Sequence, residues 1–381
     1  MAAENITLVI LIFSLVIILS VWFLAQRRRK RGEATNLFWF GVLDIVEGNR
    51  KRAMKYLRDS ALEDSENINA FILLGDLLRE EGEAAKALKI HRMLTARRGI
   101  PREWELRILK SLSLDYYAIG EYNSALQLVE SALKLDSENP FFLELSLELH
   151  ERCGNWKEAG ETLERIEKLT GKPEKTKRAL FKLEEGLKLE SGEDGHRARI
   201  LYKEAIKIDE NCFYAYVAVG DSYAKEKRWD DAIDWFRQVA KNFPEHAYLV
   251  LERLEKAFFE KGEFSKVIEL YKELLESDKE NPDIAFALAN LYTKMGNYEE
   301  AIEVVNSVLP RERLHASLRL LYYYKQLGAT EKINQLIEEL YELATNRGKL
   351  FVCASCGQKS NEELRRCPQC KEWNTFKLAQ F

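Results

Sequence analysis

The sequence has little proline and glycine, with 7 and 19 of these residues in a chain of 381. Because these residues supply the turns of loop-rich folds, so few of them leave little room for long loops. Charged residues make up 31% of the chain, but they nearly balance at a formal net charge of -4. After residue 31 no basic stripe is present, which argues against sequence-independent binding to nucleic acid through phosphate neutralisation.

The sequence also lacks the motifs of common catalytic sites. It contains no HExxH zinc motif and no G-x-x-x-x-G-K-[ST] phosphate loop. The five histidines are scattered, and none forms a recognisable unit with a nearby nucleophile; they are His91, His150, His196, His246 and His315. We therefore predict a protein that is not an enzyme, with no catalytic residues and no organic cofactor.

A long uncharged run lies near the N-terminus. Residues 6–25, ITLVILIFSLVIILSVWFLA, contain no charged side chain, and about 20 helical residues span the roughly 30 Å hydrocarbon core of a bilayer. Glu4 precedes the run and RRRKR follows it at residues 27–31, an arrangement unlike that of a cleaved signal peptide. The sequence predicts an uncleaved transmembrane helix at 6–25.

The basic cluster after this run predicts its orientation. Lys and Arg concentrate on the cytoplasmic side of membrane helices. We therefore expect residues 1–5 to form a short periplasmic N-terminus, 26–36 to form a basic juxtamembrane linker, and the rest of the chain to be cytoplasmic.

From residue 37 onward the apolar residues recur at helical spacing, with self-similarity at a period of about 34 residues. Each unit has a small apolar residue that opens its second helix, and a degenerate last unit has Ile333. The series is Ala53, Ala87, Ala125, Ala159, Ala198, Ala232, Val267 and Ala301. Two steps are longer, so we expect irregular loops or subdomain breaks near 97–102 and 170–175.

Glycines recur in phase with this series. Gly41, Gly75 and Gly220 lie twelve residues before the small residue, and further glycines mark the turn between the two helices of a unit. These positions resemble the tetratricopeptide repeat. The resemblance implies an all-α superhelix of about nine repeats over 37–348, whose first helices line a groove that binds a peptide or protein segment.

Some tetratricopeptide domains bind a carboxylate with paired Lys and Asn on their first helices. The equivalent positions here include Lys110 with Leu114, Val217 with Asp221, and Phe286 with Asn290. No repeat supplies the paired residues, so we expect a mixed apolar and acidic groove with a different ligand.

The last segment, 349–381, has a different character. Four of the six cysteines form two C-x2-C pairs separated by ten residues: Cys353, Cys356, Cys367 and Cys370. Four thiolates at this spacing predict one tetrahedrally held metal ion, with zinc the first expectation and iron the second. Two disulfides are the alternative, which a cytoplasmic location disfavours. Because about 30 residues cannot build a sufficient core, metal binding should supply much of the folding free energy.

The order of these segments resembles the lipopolysaccharide assembly protein B family over essentially the whole chain. The most specific parts are Phe38-Trp39-Phe40-Gly41, Gly75-Asp76-Leu77 through Ile90-His91, and Cys367-Pro368 to Trp373. The resemblance implies an adaptor in the inner membrane of Gram-negative bacteria and a rubredoxin-like C-terminal ribbon that folds back on the repeats. Its implied partners are the membrane protease FtsH, the deacetylase that commits precursor to lipid A synthesis, and membrane-embedded regulators; a homo-oligomer is also compatible.

Two departures from true rubredoxins argue against electron transfer. The loop between the two C-x2-C pairs has only ten residues, and Lys371 stands where a glycine is expected after the last cysteine. Two alternatives to the adaptor remain. A redox sensor or electron carrier with a rubredoxin-like iron centre is one alternative. A general scaffold for secretion or cell division is the other.

Overall fold

The structure of the protein is a computed structural model. It describes the backbone of residues 2–97, 99–191, 194–309, 312–345, 351–360, 362, 364–373 and 375–378, and the side chains of these residues except 2–18, 24, 343–345 and 378. The chain divides into two compact units, Met1–Asp209 and Glu210–Phe381.

The first unit is entirely helical in its described part. Its ten helices are α1 (Ala2–Val46), α2 (Arg50–Glu63), α3 (Ile68–Glu80), α4 (Ala84–Thr95), α5 (Arg102–Ala118), α6 (Tyr122–Leu135), α7 (Pro140–Cys153), α8 (Trp156–Thr170), α9 (Lys175–Ser191) and α10 (Gly195–Ile208). Each odd-numbered helix packs on the helix that follows it, and each such pair also contacts the next pair. This is the stacking that the repeat period predicts.

The second unit is also built of helix pairs, and its last described segment is a small sheet. Its helices are α11 (Phe213–Lys225), α12 (Trp229–Asn242), a 3-10 turn (Pro244–His246), α13 (Tyr248–Glu260), α14 (Phe264–Ser277), α15 (Pro282–Met295), α16 (Tyr298–Val308), α17 (Arg313–Gln326) and α18 (Thr330–Thr345). Strands β1 (Phe351–Cys353), β2 (Lys359–Ser360) and β3 (Phe376–Leu378) form an antiparallel sheet in the order β2-β1-β3.

Helix α1 contains both the predicted transmembrane run and the basic segment. Residues 26–36 are helical, and Arg29 pairs with Glu33 one turn later at 3.2 Å. In the described part of the chain, no helix has the length and apolar character that crossing a membrane requires. Most of the predicted span 6–25 lies outside the residues whose side chains are described, so the transmembrane helix stays a prediction.

The small residues of the repeats lie where the sequence predicts them. All eight members of the series from Ala53 to Ala301 are fully buried at the crossing of the two helices of a pair. Ile333, in the degenerate last unit, is only half-buried. Close approach also explains Gly75, because a Cβ there would lie 2.3 Å from Nε2 of His91. Gly186 follows the same rule although the sequence analysis did not identify it: a Cβ would lie 2.4 Å from Cε1 of Tyr202.

The two longer steps of the repeat are not breaks between units. The unit boundary lies between Asp209 and Glu210. Of the two alternatives, the irregular loops are the ones observed, because residues 97, 99–101 and 171–174 lie outside the helices. The extra length is taken up partly by the first helices, since α5 and α9 have 17 residues each whereas α7 has 14.

A buried polar network joins three helices of the first unit. His91 on α4 and Asp115 on α5 are both fully buried, with His91 Nδ1 2.5 Å from Asp115 Oδ2. Arg79 on α3 donates to the other oxygen, Asp115 Oδ1, at 2.8 Å, and also pairs with Asp76 Oδ1 at 2.7 Å. His91 Nε2 faces the backbone oxygen of Ile72 at 3.2 Å. These bonds satisfy groups that would otherwise be costly to bury, and they fix α3, α4 and α5 to one another.

Candidate metal centre

The ribbon is built from two turns of the same geometry. In the first turn, the N–H of Cys353 bonds to the oxygen of Gln358 and the N–H of Gly357 bonds back to the oxygen of Cys353, both at 2.9 Å. In the second turn, the N–H of Cys367 bonds to the oxygen of Glu372 at 2.9 Å, and the N–H of Lys371 bonds to the oxygen of Cys367 at 3.0 Å. The two C-x2-C segments are therefore matching knuckles.

The fifth residue of each knuckle has a left-handed backbone conformation. Gly357 has φ +76° and Lys371 has φ +64°. This geometry explains why glycine is the residue expected at this position, since a side chain there costs free energy. Lys371 makes a compensating contact, because its Nζ donates to the oxygen of Pro368 at 2.7 Å.

The knuckles bring the four cysteine sulfurs together. The Sγ atoms of Cys353, Cys356, Cys367 and Cys370 all lie within 4.8 Å of one another. Cys353 and Cys370 are 3.7 Å apart, and Cys356 and Cys367 are 3.5 Å apart. Tetrahedral ligation at about 2.3 Å per Zn–S bond requires sulfurs roughly 3.8 Å apart. The separations fit one metal ion, and an all-sulfur donor set suits zinc or iron.

Backbone N–H groups point at these sulfurs. Cys353 receives them from Ser355 and Cys356, and Cys367 receives them from Gln369 and Cys370. The Thr375 hydroxyl, 3.1 Å from Cys353 Sγ, is the largest contribution that lowers the pKa of Cys353, to about 6. Such donors stabilise thiolates, the form in which cysteine binds a metal.

The surroundings of the sulfurs are unequal. Cys353 and Cys367 are buried against the ring of Phe376, whereas Cys356 is exposed. Trp373 is 63% exposed and lies under the guanidinium of Arg366, whose Cζ is 5.3 Å from the ring centroid. Docking of the ribbon on the repeats stays a prediction.

The first helices of the second unit carry two contacts that the sequence analysis missed. Arg253 Nε on α13 donates to Asp221 Oδ1 on α11 at 2.7 Å. Arg319 Nη1 on α17 donates to Asn290 Oδ1 on α15 at 2.6 Å. Each arginine lies fourteen residues before the residue that opens the second helix of its own repeat. Each partner lies eleven residues before the corresponding residue of the preceding repeat. These pairs form between consecutive first helices, so they do not follow the pattern of two residues four apart within one helix.

Comparisons with known proteins match the repeats and the ribbon separately. Residues 183–247 and 258–322 match the tetratricopeptide repeat. Residues 351–377 match the rubredoxin metal binding domain. The fold expected from the periodicity and the metal-binding character of the ribbon are thus confirmed, and one metal ion is indicated; the choice of zinc or iron stays open.

Two curated relatives are similar over nearly the whole chain. Lipopolysaccharide assembly protein B of Escherichia coli (strain K12) is 23% identical over 373 residues, covering 93% of this chain and 94% of the relative. The protein of the same name from Haemophilus influenzae is 20% identical over 378 residues with the same coverage. Among solved structures, a tetratricopeptide repeat protein from Parabacteroides merdae is 12% identical, with a TM-score of 0.33 over 77% of this chain and 99% of that chain; similarity at that level carries no argument.

Proposed function

Because the chain belongs to the lipopolysaccharide assembly protein B family, we propose that it is an adaptor that regulates lipopolysaccharide synthesis. It presents the deacetylase of the committed step of lipid A synthesis to the membrane protease FtsH. It also organises lipopolysaccharide assembly at the inner membrane. The observation that carries this proposal is the similarity over 93% of the chain, which includes both the repeats and the ribbon.

The architecture supports binding rather than catalysis. Within each unit, stacked helix pairs offer a surface of first helices, which is the usual binding surface of such repeats. An adaptor needs one surface for its client and another for the protease. The repeats and the N-terminal helix are suited to these two roles, and the absence of catalytic motifs in the sequence favours an adaptor over an enzyme.

We propose that Cys353, Cys356, Cys367 and Cys370 hold one metal ion with a structural role. The ion would tie the two knuckles together in a ribbon whose strands have only two or three residues each. Such short strands cannot fold the ribbon alone, so the metal supplies the folding free energy. Metal analysis of the full-length protein should find one ion per chain, and this ion should be lost in Cys367→Ser.

The matched control is Cys153→Ser, which removes a thiol outside the cluster and should leave the metal content unchanged. Zinc content with a colourless protein supports the structural role. Iron content, with visible absorption that bleaches reversibly on reduction while the ribbon stays folded, supports the redox alternative instead.

We also propose that residues 6–25 anchor the protein in the inner membrane, with residues 1–5 in the periplasm and the repeats in the cytoplasm. The support is the uncharged run and the RRRKR segment that follows it. A C-terminal reporter that is active only in the cytoplasm should be active in the fusion. Activity of a periplasm-specific reporter at that end would contradict this topology.

Depletion of the protein in its own host tests the adaptor function. The level of the deacetylase should rise because the protease no longer receives it, and re-expression of the intact chain should restore the normal level. An unchanged deacetylase level on depletion would remove the proposal. If depletion instead impairs secretion or cell division, the result would favour the general scaffold.

A further inference from the structure

The four cysteine sulfurs of the ribbon differ in their access to solvent. Cys353 and Cys367 are 1% and 0% exposed, and both pack with the ring of Phe376. Cys370 is half-buried and borders the same cluster, whereas Cys356 is exposed. A small reagent in solution therefore reaches one sulfur of the centre, that of Cys356, more easily than the other three.

The backbone also protects the sulfurs unequally. The first cysteine of each knuckle accepts hydrogen bonds from two backbone N–H groups. The second cysteine of each knuckle accepts one, which comes from Gln358 at Cys356 and from Glu372 at Cys370. Each such donor stabilises the charge on the sulfur and lowers its nucleophilicity. Cys356 therefore combines a single donor with exposure to solvent, which makes it the most reactive of the four.

A second thiolate lies within reach of Cys356. Its Sγ is 3.5 Å from the Sγ of Cys367 on the opposite knuckle. A disulfide bond is about 2.05 Å long, so the two sulfurs have to approach by roughly 1.5 Å. The sulfurs that suit a metal ion are thus also placed to form a disulfide across the two knuckles.

We propose that Cys356 is a modification site for hydrogen peroxide, and that its oxidation joins it to Cys367 and releases the metal ion. This inference rests on the proposed metal centre, because it specifies how that centre is regulated. The four thiolates hold the ion under reducing conditions and lose it under oxidising conditions. Since the metal supplies the folding free energy of the ribbon, oxidation unfolds the ribbon and reduction restores it.

The reaction consumes two thiolates and one molecule of hydrogen peroxide. The Sγ of Cys356 attacks one peroxide oxygen, the O–O bond breaks, and the products are a sulfenic acid and a hydroxide ion. The thiolate of Cys367 then attacks the sulfenic sulfur, so that an S–S bond forms and a second hydroxide leaves. Two protons from the buffer convert both hydroxides to water. Two electrons pass from the sulfurs to the peroxide, and the charge of the metal ion does not change.

The ion leaves because the disulfide removes half of its ligands. Cys353 and Cys370 remain as thiolates, and two thiolates do not make the closed set of four ligands that a structural zinc site requires. A dithiol that reduces the disulfide regenerates all four thiolates, so the ribbon takes up zinc again.

Release of zinc from the zinc-loaded full-length protein on addition of hydrogen peroxide tests the inference. The Cys153→Ser chain is used, because Cys153 is a half-exposed thiol outside the cluster. A chromophoric chelator measures the released zinc, and mass spectrometry of acid-quenched, alkylated digests locates the disulfide. We expect release of about one zinc ion per chain, since four thiolates close on one ion. We also expect a disulfide between Cys356 and Cys367, and renewed zinc uptake after reduction.

Two matched variants assign the reaction to Cys356. Cys356→His and Cys370→His each leave three cysteines and one histidine, a ligand set that also binds zinc. Cys370→His keeps the exposed thiolate and its partner, so it should release zinc within about threefold of the rate of the intact cluster. Cys356→His should release zinc at least about tenfold more slowly, because its remaining thiolates are buried or half-buried. The zinc content is measured first, so that only loaded variants are compared.

Retention of zinc by the intact cluster, at peroxide concentrations that oxidise free cysteine, would overturn the inference. Release without a disulfide between Cys356 and Cys367, or equal rates for the two histidine variants, would overturn it as well. If neither variant binds zinc, the disulfide map of the intact cluster decides alone. The metal centre itself is judged separately by the metal content of the protein. One ion per chain that resists peroxide would leave the centre in place and refute only its regulation.

Discussion

Removing the Asp115 carboxylate should open the first unit locally, because this group is the centre of the buried network. In Asp115→Ala, His91 loses its partner at 2.5 Å and Arg79 loses its partner at 2.8 Å. Hydrogen bonds to charged groups contribute about 1.5–3 kcal/mol each, and breaking a buried ion pair from one side costs about 3–5 kcal/mol. Arg79 keeps its second partner, Asp76, at 2.7 Å. We therefore expect a loss of about 3 kcal/mol.

Hydrogen exchange of the full-length protein, followed by mass spectrometry on peptides from α3, α4 and α5, measures this loss. A decrease of about 3 kcal/mol in opening free energy corresponds to exchange roughly a hundredfold faster. The control is Glu151→Gln, which removes the ion pair between Glu151 and Lys177 at 2.8 Å, where the side chains are 33% and 38% exposed. Exposed pairs contribute less than about 1 kcal/mol. Equal effects of the two substitutions would refute the role assigned to burial.

Three further predictions follow from particular contacts. Gly186→Ala should destabilise the first unit by about 1–3 kcal/mol in thermal melting, because the added Cβ would clash with the ring of Tyr202 on α10. The control Gly160→Ala should be neutral or stabilising, because no atom lies within 4 Å of the added Cβ. Equal effects of the two substitutions would contradict this explanation. Burial lowers the pKa of His150 below its ordinary 6.5 in the folded protein, so the contribution of His150 to stability is present above pH 6.5 and is lost as the pH falls towards the pKa of the folded state. The melting temperature of His150→Gln should therefore depend less on pH over this window. A pH profile identical to that of the unmodified protein would refute the prediction. Lys371→Gly should maintain or increase the affinity for the metal in a competition titration, because glycine adopts φ +64° at no steric cost. A large loss of metal affinity would show that the lysine side chain is required.

The sequence could predict the repeats because their signal is local and repeated. The residue at each helix crossing has to be small in every unit, so eight buried positions from Ala53 to Ala301 recur at a period of about 34 residues, with two longer steps. The sulfur cluster could be predicted for a similar reason, since two C-x2-C turns bring their own ligands together.

What could not be predicted depends on contacts between distant residues. His91 is a polar residue in the sequence, and only the packing of α3, α4 and α5 shows that it is buried with Asp115. Arg319 and Asn290 are 29 residues apart and lie at different positions of their helices, so no motif within one helix connects them. The unit boundary after Asp209 has no proline or glycine to mark it.

Degradation of the lipid A deacetylase by FtsH in reconstituted membranes tests the central claim most directly. Proteoliposomes that contain the protease are compared with and without the full-length protein, and the half-life of the added deacetylase is measured. The adaptor function predicts that the unmodified chain and Cys153→Ser both shorten the half-life of the deacetylase. The Cys367→Ser variant should leave the half-life close to that without any added chain. A half-life that is the same with and without the unmodified chain would contradict the account.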